Sequence, residues 1–399
     1  MFQMYVNNVE WLKAITVFII GISVASEIKA LSVIAAVLGL FICFKDRNII
    51  SNIKNKFLKS SIFRIFGFVV IFALLCIVQG NYSGLSNVLK FFEKITSILL
   101  IYIFIGKINN VFLISTAGII LGLWLGESTV FYQYLNNVNT NGINRVGGIY
   151  GNPNNLGAVI ELIFPVIVYT IYKYSKNTKV LISCYLSILT AFVALVISGS
   201  RGAMMAVLVE FIAFVILYFF RKNKLQLRIS YIFIFIFLLL GILYCFLNFY
   251  SRSYDMERIL IFTSAWQMFL DHPFIGIGLG KWGDVYTPIY ISSMAKEFDI
   301  AHAHNAFLYV LAETGIIGFT AFFSFIYYQF KTAINISLKI YSADWTYINI
   351  ADMFAIIILG MIIHNMVDVY ITVKFYLLIY LFIWGICCLY FEELLKKEE

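Results

Sequence analysis

Long runs of apolar residues alternate with short polar segments along the whole chain. A membrane-crossing α-helix needs about 20 predominantly apolar residues, and these runs approach or reach that length. Backbone that faces lipid must satisfy its hydrogen bonds internally, so the pattern predicts an all-α, polytopic integral membrane protein with about 12 transmembrane helices. We predict a single membrane domain over residues 1–399. The predicted spans are 11–25, 29–44, 65–80, 91–106, 110–126, 154–172, 180–198, 202–220, 230–249, 304–329, 351–367 and 372–392.

Two outer connections, 127–153 and 250–303, are longer than a simple link requires, and long ordered loops are usually functional. The second predicts a helix over about 255–270, with Trp266 and Leu270 among the apolar residues on one side. We therefore predict an amphipathic helix that lies on the outer face of the membrane.

A glycine-rich segment, GIGLG at 276–280, follows this predicted helix. A glycine motif of this kind indicates a nucleotide-binding loop only between a strand and a helix, and here no strand precedes it and no helix clearly opens after it. We interpret the segment as a turn.

The composition agrees with a membrane protein, since 62% of the residues are hydrophobic and 13% are charged. With a cytoplasmic N-terminus, most loop lysines and arginines fall on the inner side, as the positive-inside rule requires. The net charge of +8 is therefore mostly a consequence of topology. The basic residues are spread over short loops, so a nucleic-acid partner is not expected, whereas the lipid bilayer is.

Three arginines stand at the borders of apolar runs. Arg201 lies in SGSRG between two spans, Arg145 lies in NRVGGIYGNPNNLG ahead of another span, and Arg258 lies near the start of the predicted outer helix. Arg201 can simply snorkel to the interface, and Arg258 can be a solvated surface charge. The functional alternative is that these cations bind an anionic group.

Two histidines and an asparagine stand at the mouth of the span at 304–329, in AHAHNAFLYVLAETGIIG. If the helix extends back to His304, then His304 and Gly315 share one face. His302 and His304 form an HxH pair that can bind a metal, but a metal needs further ligands, and no candidate stands at a telling spacing. We therefore predict no metal at this site. Asn305 completes the polar cluster.

Further polar residues occur inside or at the end of spans. Asn154 and Glu161 are seven residues apart and can face one side of a helix. Glu161 is either functional or a structural acid that is hydrogen bonded to a neighbouring helix. His364 and Asp368 are one turn apart, and their pairing as an imidazole with its orienting carboxylate is one hypothesis. A simple helix-end contact is the other.

Together these residues indicate three cations and a histidine on the outer face, above a chamber between helices. A sugar carried on a lipid diphosphate needs this arrangement, because the leaving diphosphate has negative charge that must be stabilised. Arginine can do this without a metal, since its planar fork matches phosphate oxygens. His304 can take the proton from an attacking hydroxyl.

Three segments in the same order resemble the O-antigen ligase and polymerase family of bacterial envelope biogenesis: SGSRG, ERILIFTSAWQMFLDHPFIGIGLG and AHAHNAFLYVLAETGIIG. The last fits the family pattern of a histidine, then Asn, Ser or Gln, nine residues, a glycine, two residues, and Gly, Thr or Tyr. Those positions are His304, Asn305, Gly315 and Gly318. The resemblance covers roughly 140–370, and the first five spans match in hydropathy alone.

This resemblance implies a metal-independent, inverting glycosyltransferase without a cofactor. The donor would be an oligosaccharide linked to undecaprenyl diphosphate, and the acceptor a glycan or lipid-linked sugar at the outer face of the bacterial inner membrane. By position, Arg201 and Arg258 resemble the diphosphate-contacting arginines and His304 the catalytic histidine. Arg145 is a third candidate for the diphosphate. His302, Asn305, Asn154, Glu161, His364 and Asp368 are candidates for supporting roles.

The motifs do not separate the two main activities of the family. A polymerase joins lipid-linked repeat units, whereas a ligase moves the finished polymer onto lipid A core. We favour the repeat-unit polymerase, because polymerases occur in more kinds of envelope. Contact with a flippase or a chain-length regulator is a further expectation. A lipid-linked oligosaccharide flippase is the alternative from another class, but it should place polar residues along the membrane interior and show related halves.

Overall fold

The structure, a computed structural model, describes residues 2–45, 55–105, 108, 110–138, 145–222, 253–296, 298, 300–343, 348–371 and 373–396. These residues form α-helices, together with a 3₁₀ turn at Gly148–Tyr150 and a π-helical turn at Tyr286–Tyr290, with no β-strand among them. The helices are α1 (Phe2–Ser26), α2 (Lys29–Lys45), α3 (Lys56–Val78), α4 (Tyr82–Ile105), α5 (Val111–Leu135), α6 (Pro153–Lys173), α7 (Thr178–Ser198), α8 (Arg201–Lys222), α9 (Ser253–Asp271), α10 (Trp282–Val285), α11 (Ala306–Ala343), α12 (Ile350–Asn365) and α13 (Lys374–Lys396).

The predicted spans correspond closely to these helices. Within the described ranges, eight helices are long and apolar enough to cross a membrane, and shorter apolar helices lie at Lys29–Ile42 and Ile350–Asn365. The predicted span 230–249 lies outside the described residues, and every other predicted span coincides with a helix. The expectation of an all-α, polytopic membrane protein is therefore confirmed. Several boundaries differ, since α3 and α4 begin earlier than predicted, at Lys56 and Tyr82, and α11 continues to Ala343. In the same way α5 continues to Leu135 and shortens the outer connection that was predicted to begin at 127.

Helix α12 forms the centre of the packing that supports the candidate site. It contacts α6, α8, α11 and α13, and nearly all its residues are buried. A helix that is surrounded on all sides needs no polar face, which explains its almost entirely apolar sequence. It ends at Asn365, and the following turn carries Asp368.

Helix α9 is the predicted amphipathic helix of the second outer loop. It ends at Asp271, shortly before Pro273, as a proline stop signal requires. One side buries Ala265 and Met268, while the other exposes Trp266 and Leu270. The buried side packs against α11.

Helix α11 is broken at Gly315, where the backbone angles are φ 61° and ψ −168°. The loop after α9 enters this break, because the N–H groups of Ile316 and Ile317 donate to the carbonyls of Pro273 and Phe274 at 2.9 and 3.3 Å. A Cβ atom on residue 315 would clash with the carbonyl group of Phe274. A glycine is therefore needed both for the positive φ and for the close approach.

The glycine-rich segment 276–280 runs beside the turn of α11 that precedes the break. The N–H groups of Ile277 and Gly278 donate to the carbonyls of Ala312 and Glu313, each at 2.9 Å. The segment ends in a turn, as predicted, because the N–H of Lys281 donates to the carbonyl of Gly278 at 3.1 Å. Its backbone groups are used to hold the outer loop against α11.

The expected extension of α11 back to His304 is wrong. The helix begins at Ala306, and His304 has a left-handed backbone with φ 48°. The side chain of Asn305 accepts a hydrogen bond from the N–H of Leu308 at 3.0 Å and so caps the helix start. The chain turns at this cap, and His304 does not share a helix face with Gly315.

Candidate functional site

The start of α11 is hydrogen bonded to the turn that follows α12. Asn305 Nδ2 donates to the carbonyl of Met366 at 3.0 Å, and the N–H of Ala306 donates to the carbonyl of Asp368 at 3.1 Å. These two bonds place the residues just before α11 against Asp368. The capping asparagine therefore positions the histidines as well as the helix.

His304 and His302 face the same carboxylate oxygen. His304 Nδ1 lies 3.5 Å from Asp368 Oδ1, and His302 Nε2 lies 4.0 Å from it. His302 Nδ1 accepts a hydrogen bond from the backbone N–H of His304 at 3.3 Å, so a neutral His302 has its proton on Nε2, towards Asp368. The side chains of His304 and His302 are 27% and 33% exposed, against 10% for Asp368. Both imidazoles are therefore accessible, with the acid behind them.

The other oxygen of Asp368 is held by two donors. Tyr370 Oη donates to Oδ2 at 2.8 Å and Asn154 Nδ2 donates to it at 3.3 Å. Burial raises the pKa of the Asp368 carboxyl, but the two neighbouring histidines and the Tyr370 hydroxyl outweigh burial, so the pKa lies below its ordinary value. The carboxylate is ionised at neutral pH and suited to orient an imidazole.

Arg145 is fixed at the opposite side of Asn154. Its Nε donates to the carbonyl of Ser198 at 2.5 Å, and its Nη2 donates to Asn154 Oδ1 at 2.6 Å. Ser198 is the last residue of α7, and Asn154 lies in the first turn of α6. Two helix ends therefore hold the guanidinium in one orientation.

Arg201 and Arg258 act electrostatically on Arg145. Burial lowers the pKa of the Arg145 guanidinium and the charges of Arg201 and Arg258 lower it further, while Tyr370 and Asp368 oppose them. The structure thus brings the three predicted arginines into one region. Arg201 is the first residue of α8 and is exposed, and Arg258 is half-buried on α9. Three like charges close together favour an anionic ligand.

Glu161 and His364 form a separate pair in the interior. His364 Nδ1 lies 3.0 Å from Glu161 Oε2, and Tyr376 Oη donates to Glu161 Oε1 at 3.0 Å. The hypothesis that His364 pairs with Asp368 is wrong, because Asp368 faces His304 and only its backbone N–H bonds to the His364 carbonyl. The alternative that Glu161 is a structural acid bonded to neighbouring helices agrees with these contacts.

His302, His304 and Asp368 also have the geometry of a metal-binding group. Their ligating atoms lie within 4.8 Å of one another, so Asp368 supplies the third ligand that the sequence did not reveal. The positive charges of Arg145 and Arg258 nearby oppose the binding of a cation. The surroundings therefore fit an anionic ligand better than a metal ion.

Tyr370 is a site residue that the sequence did not predict. Its hydroxyl fixes Asp368, and its ring lies 4.5 Å from the His364 ring between centroids. The only signal in the sequence is its position two residues after an acid at a helix end, which is too common to be specific. The carbonyl of Ser198 was missed because backbone groups leave no trace in a sequence.

The family model described as O-antigen ligase matches residues 186–323. This match confirms the resemblance to the O-antigen ligase family. The matched O-antigen ligase segment contains Arg201, Arg258 and His304, whereas Arg145 and Asp368 lie outside it. Comparison with curated proteins finds no match. The O-antigen ligase match and the apolar helices support a membrane protein of polysaccharide biosynthesis that uses a lipid-linked glycan and an acceptor.

Proposed function

We propose that the protein is a membrane glycosyltransferase of the outer face of the bacterial cytoplasmic membrane. It moves a glycan from an undecaprenyl-diphosphate donor to a sugar hydroxyl of an acceptor. The observation that carries this proposal is the position of the His304–Asp368 pair beside Arg145, where α6, α8 and α11 begin. Most loop lysines and arginines lie at the other end of the helices, which supports the outer position of the site.

The arginines are proposed to bind the diphosphate of the donor. Arg145 is held by Ser198 and Asn154, and Arg201 and Arg258 lie within electrostatic range of it. Guanidinium groups donate two parallel hydrogen bonds to phosphate oxygens and keep their charge at any physiological pH. They would stabilise the negative charge that develops on the leaving diphosphate, so no metal is required.

His304 is proposed to act as the general base. Its Nδ1 faces Asp368, which favours the tautomer with the proton on Nδ1 and leaves Nε2 to accept the proton of the acceptor hydroxyl. The acceptor oxygen then bonds to the anomeric carbon while the bond from that carbon to the diphosphate oxygen breaks. Attack opposite the leaving group inverts the anomeric configuration, and the electron pair leaves with undecaprenyl diphosphate.

Between the two activities of the family we favour repeat-unit polymerase. In that case the acceptor is itself a lipid-linked repeat unit, and contact with a flippase or a chain-length regulator is expected. Ligase is the second candidate, because the matched family model is described as O-antigen ligase. Purified protein given lipid-linked donor should produce a ladder of polymers if it is a polymerase. A single capped product on lipid A core would support the ligase.

The test of the mechanism is the loss of transfer in His304→Ala and Arg258→Ala. Removal of a general base typically lowers the rate by about 10²–10⁴-fold, and removal of a phosphate-binding arginine should weaken donor use and transfer together. The readout is glycan transfer by purified protein in detergent or vesicles, normalised to folded protein.

His272→Ala is the matched control for the histidine substitution. His272 is exposed beyond the end of α9 and takes no part in the site contacts. We expect it to keep wild-type transfer. Full activity of both His304→Ala and Arg258→Ala would overturn the mechanism.

A further inference from the structure

Asn154 connects the two halves of the candidate site. Its Oδ1 accepts a hydrogen bond from Arg145 Nη2 at 2.6 Å, and its Nδ2 donates to Asp368 Oδ2 at 3.3 Å. One amide therefore contacts both the group proposed to bind the diphosphate and the acid proposed to orient the base. The amide orientation is fixed by its neighbours, since a guanidinium can only donate and a carboxylate can only accept.

The two contacts place Asn154 where neither an acid nor an apolar residue can replace it. An aspartate could still accept from Arg145, but it would set a second carboxylate against Asp368 at about the same separation, which is unfavourable. An alanine would lose both contacts, and of the two Arg145 side-chain hydrogen bonds among the described residues it would leave the one to the Ser198 carbonyl. An asparagine in the first turn of α6 satisfies both neighbours at once.

We propose that Asn154 is a positioning residue that sets the orientation of Arg145 towards the donor diphosphate and, independently, of Asp368 towards His304. This inference rests on the proposed function. It assigns to Asn154 two effects that can be separated, one on donor binding through Arg145 and one on turnover through Asp368. A residue that served only to stabilise the start of α6 would produce neither effect selectively.

The experiment compares Asn154→Ala with Asn154→Asp in the full-length protein. The first readout is the binding of undecaprenyl diphosphate alone, without turnover. We expect about tenfold weaker binding for Asn154→Ala, which frees Arg145, and near-wild-type binding for Asn154→Asp, which keeps the bond to Arg145. The second readout is transfer, where Asn154→Asp should lower kcat about tenfold with little change in donor KM, and Asn154→Ala should change both.

Asn155→Ala is the matched control in the same helix turn. Asn155 is also half-buried, and its side chain donates to the Tyr150 carbonyl at 3.0 Å, away from Arg145 and Asp368. It should bind and transfer like the wild type. Equal binding of undecaprenyl diphosphate by the wild type and Asn154→Ala would overturn the inference. Equal losses of binding and transfer in Asn154→Ala, Asn154→Asp and Asn155→Ala would overturn it as well. The binding measurement needs no turnover, so it tests the role of Asn154 even if the wild type transfers no glycan. A wild type that transfers no glycan would overturn the proposed function but not this inference.

Discussion

Two histidine–carboxylate pairs lie in different parts of this molecule. The His304–Asp368 pair lies among the helix ends, with an N–O distance of 3.5 Å and side chains 27% and 10% exposed. The His364–Glu161 pair lies between α12 and α6, with an N–O distance of 3.0 Å and side chains 1% and 0% exposed. The residue types are the same, but only the first pair can meet a substrate.

The surroundings of the two pairs differ as much as their exposure. The interior carboxylate also accepts a hydrogen bond from the Tyr376 hydroxyl, so the Glu161 carboxylate has its partners within the protein. The His304–Asp368 pair, the outer pair, lies near Arg145 and Arg258, whose positive charges favour the binding of an anion. A histidine beside an acid is therefore not evidence of a site by itself. Access from solvent and neighbouring charge decide between a structural and a chemical role.

The largest expected effect comes from breaking the interior pair with Glu161→Ala. The change leaves the His364 imidazole and the Tyr376 hydroxyl buried without their acceptor, and removal of one partner of a buried pair typically costs about 3–5 kcal/mol. We expect a large fall in melting temperature in detergent and a low yield of folded protein.

His304→Ala provides the opposite case for the same measurement. Its side chain is partly exposed, and after its removal the Asp368 carboxylate still accepts hydrogen bonds from Tyr370, Asn154 and the N–H of Val369. The melting temperature should therefore fall much less than in Glu161→Ala. If the two variants melted at the same temperature, the distinction between a structural and a chemical pair would be lost.

The next effect is expected from Asp368→Asn, which keeps the shape of the side chain but removes its charge. An asparagine can still accept from Tyr370, yet it no longer stabilises the imidazolium that forms on His304 during proton transfer. We expect kcat to fall by about 10–100-fold with little change in donor KM. Steady-state transfer at several donor concentrations separates the two constants. Wild-type kcat would mean that the outer pair is as structural as the interior one.

Much of the fold could be predicted from the sequence because lipid imposes a strict rule. Every apolar run had to become a helix, and the described helices follow those runs closely. The break in α11 could not be predicted in this way. It depends on Pro273 and Phe274 supplying carbonyls to the helix, and Gly315 by itself is compatible with an unbroken helix in a membrane.

The sequence predicted several residues of the candidate site but not the contacts that join them. Arg201, Arg258 and His304 stand in recognisable segments, and the structure brings their surroundings together. The partner of His304 was missed, because the one-turn spacing of His364 and Asp368 suggested only an imidazole–carboxylate pair or a helix-end contact between those two residues. The helix-end contact is present, since the N–H of Asp368 donates to the carbonyl of His364 at 3.1 Å. Hydrogen bonds between Asn305 and the turn after α12 decide the true pairing, and such contacts between distant segments leave no periodic signal.

The smallest expected effect is the pH dependence of stability that comes from His302, the histidine beside the His304–Asp368 pair. Burial lowers the pKa of His302, the neighbouring Asp368 opposes this, and the charges of His304 and Arg258 lower it further. The folded protein therefore binds a proton at His302 less readily than the unfolded chain, in which a histidine has a pKa of about 6.5. His302 contributes stability that is present above that pH and is lost as the pH falls through the lowered pKa of the folded state.

His302→Gln removes this titration and keeps a polar side chain of similar reach. We expect the melting temperature of the wild type to fall between about pH 6.5 and pH 5, and that of His302→Gln to fall less over the same interval. Thermal unfolding in detergent across this range is the measurement. The sign of the difference in melting temperature matters more than its size. If Asp368 stabilised the charged form of His302 more than burial destabilises it, the wild type would gain stability relative to His302→Gln as the pH falls. That result would mean that the negative charge of Asp368 affects His302 more strongly than burial and the positive charge of Arg258 do. The surroundings of His302 and His304 would then be less favourable for an anionic donor than their geometry indicates.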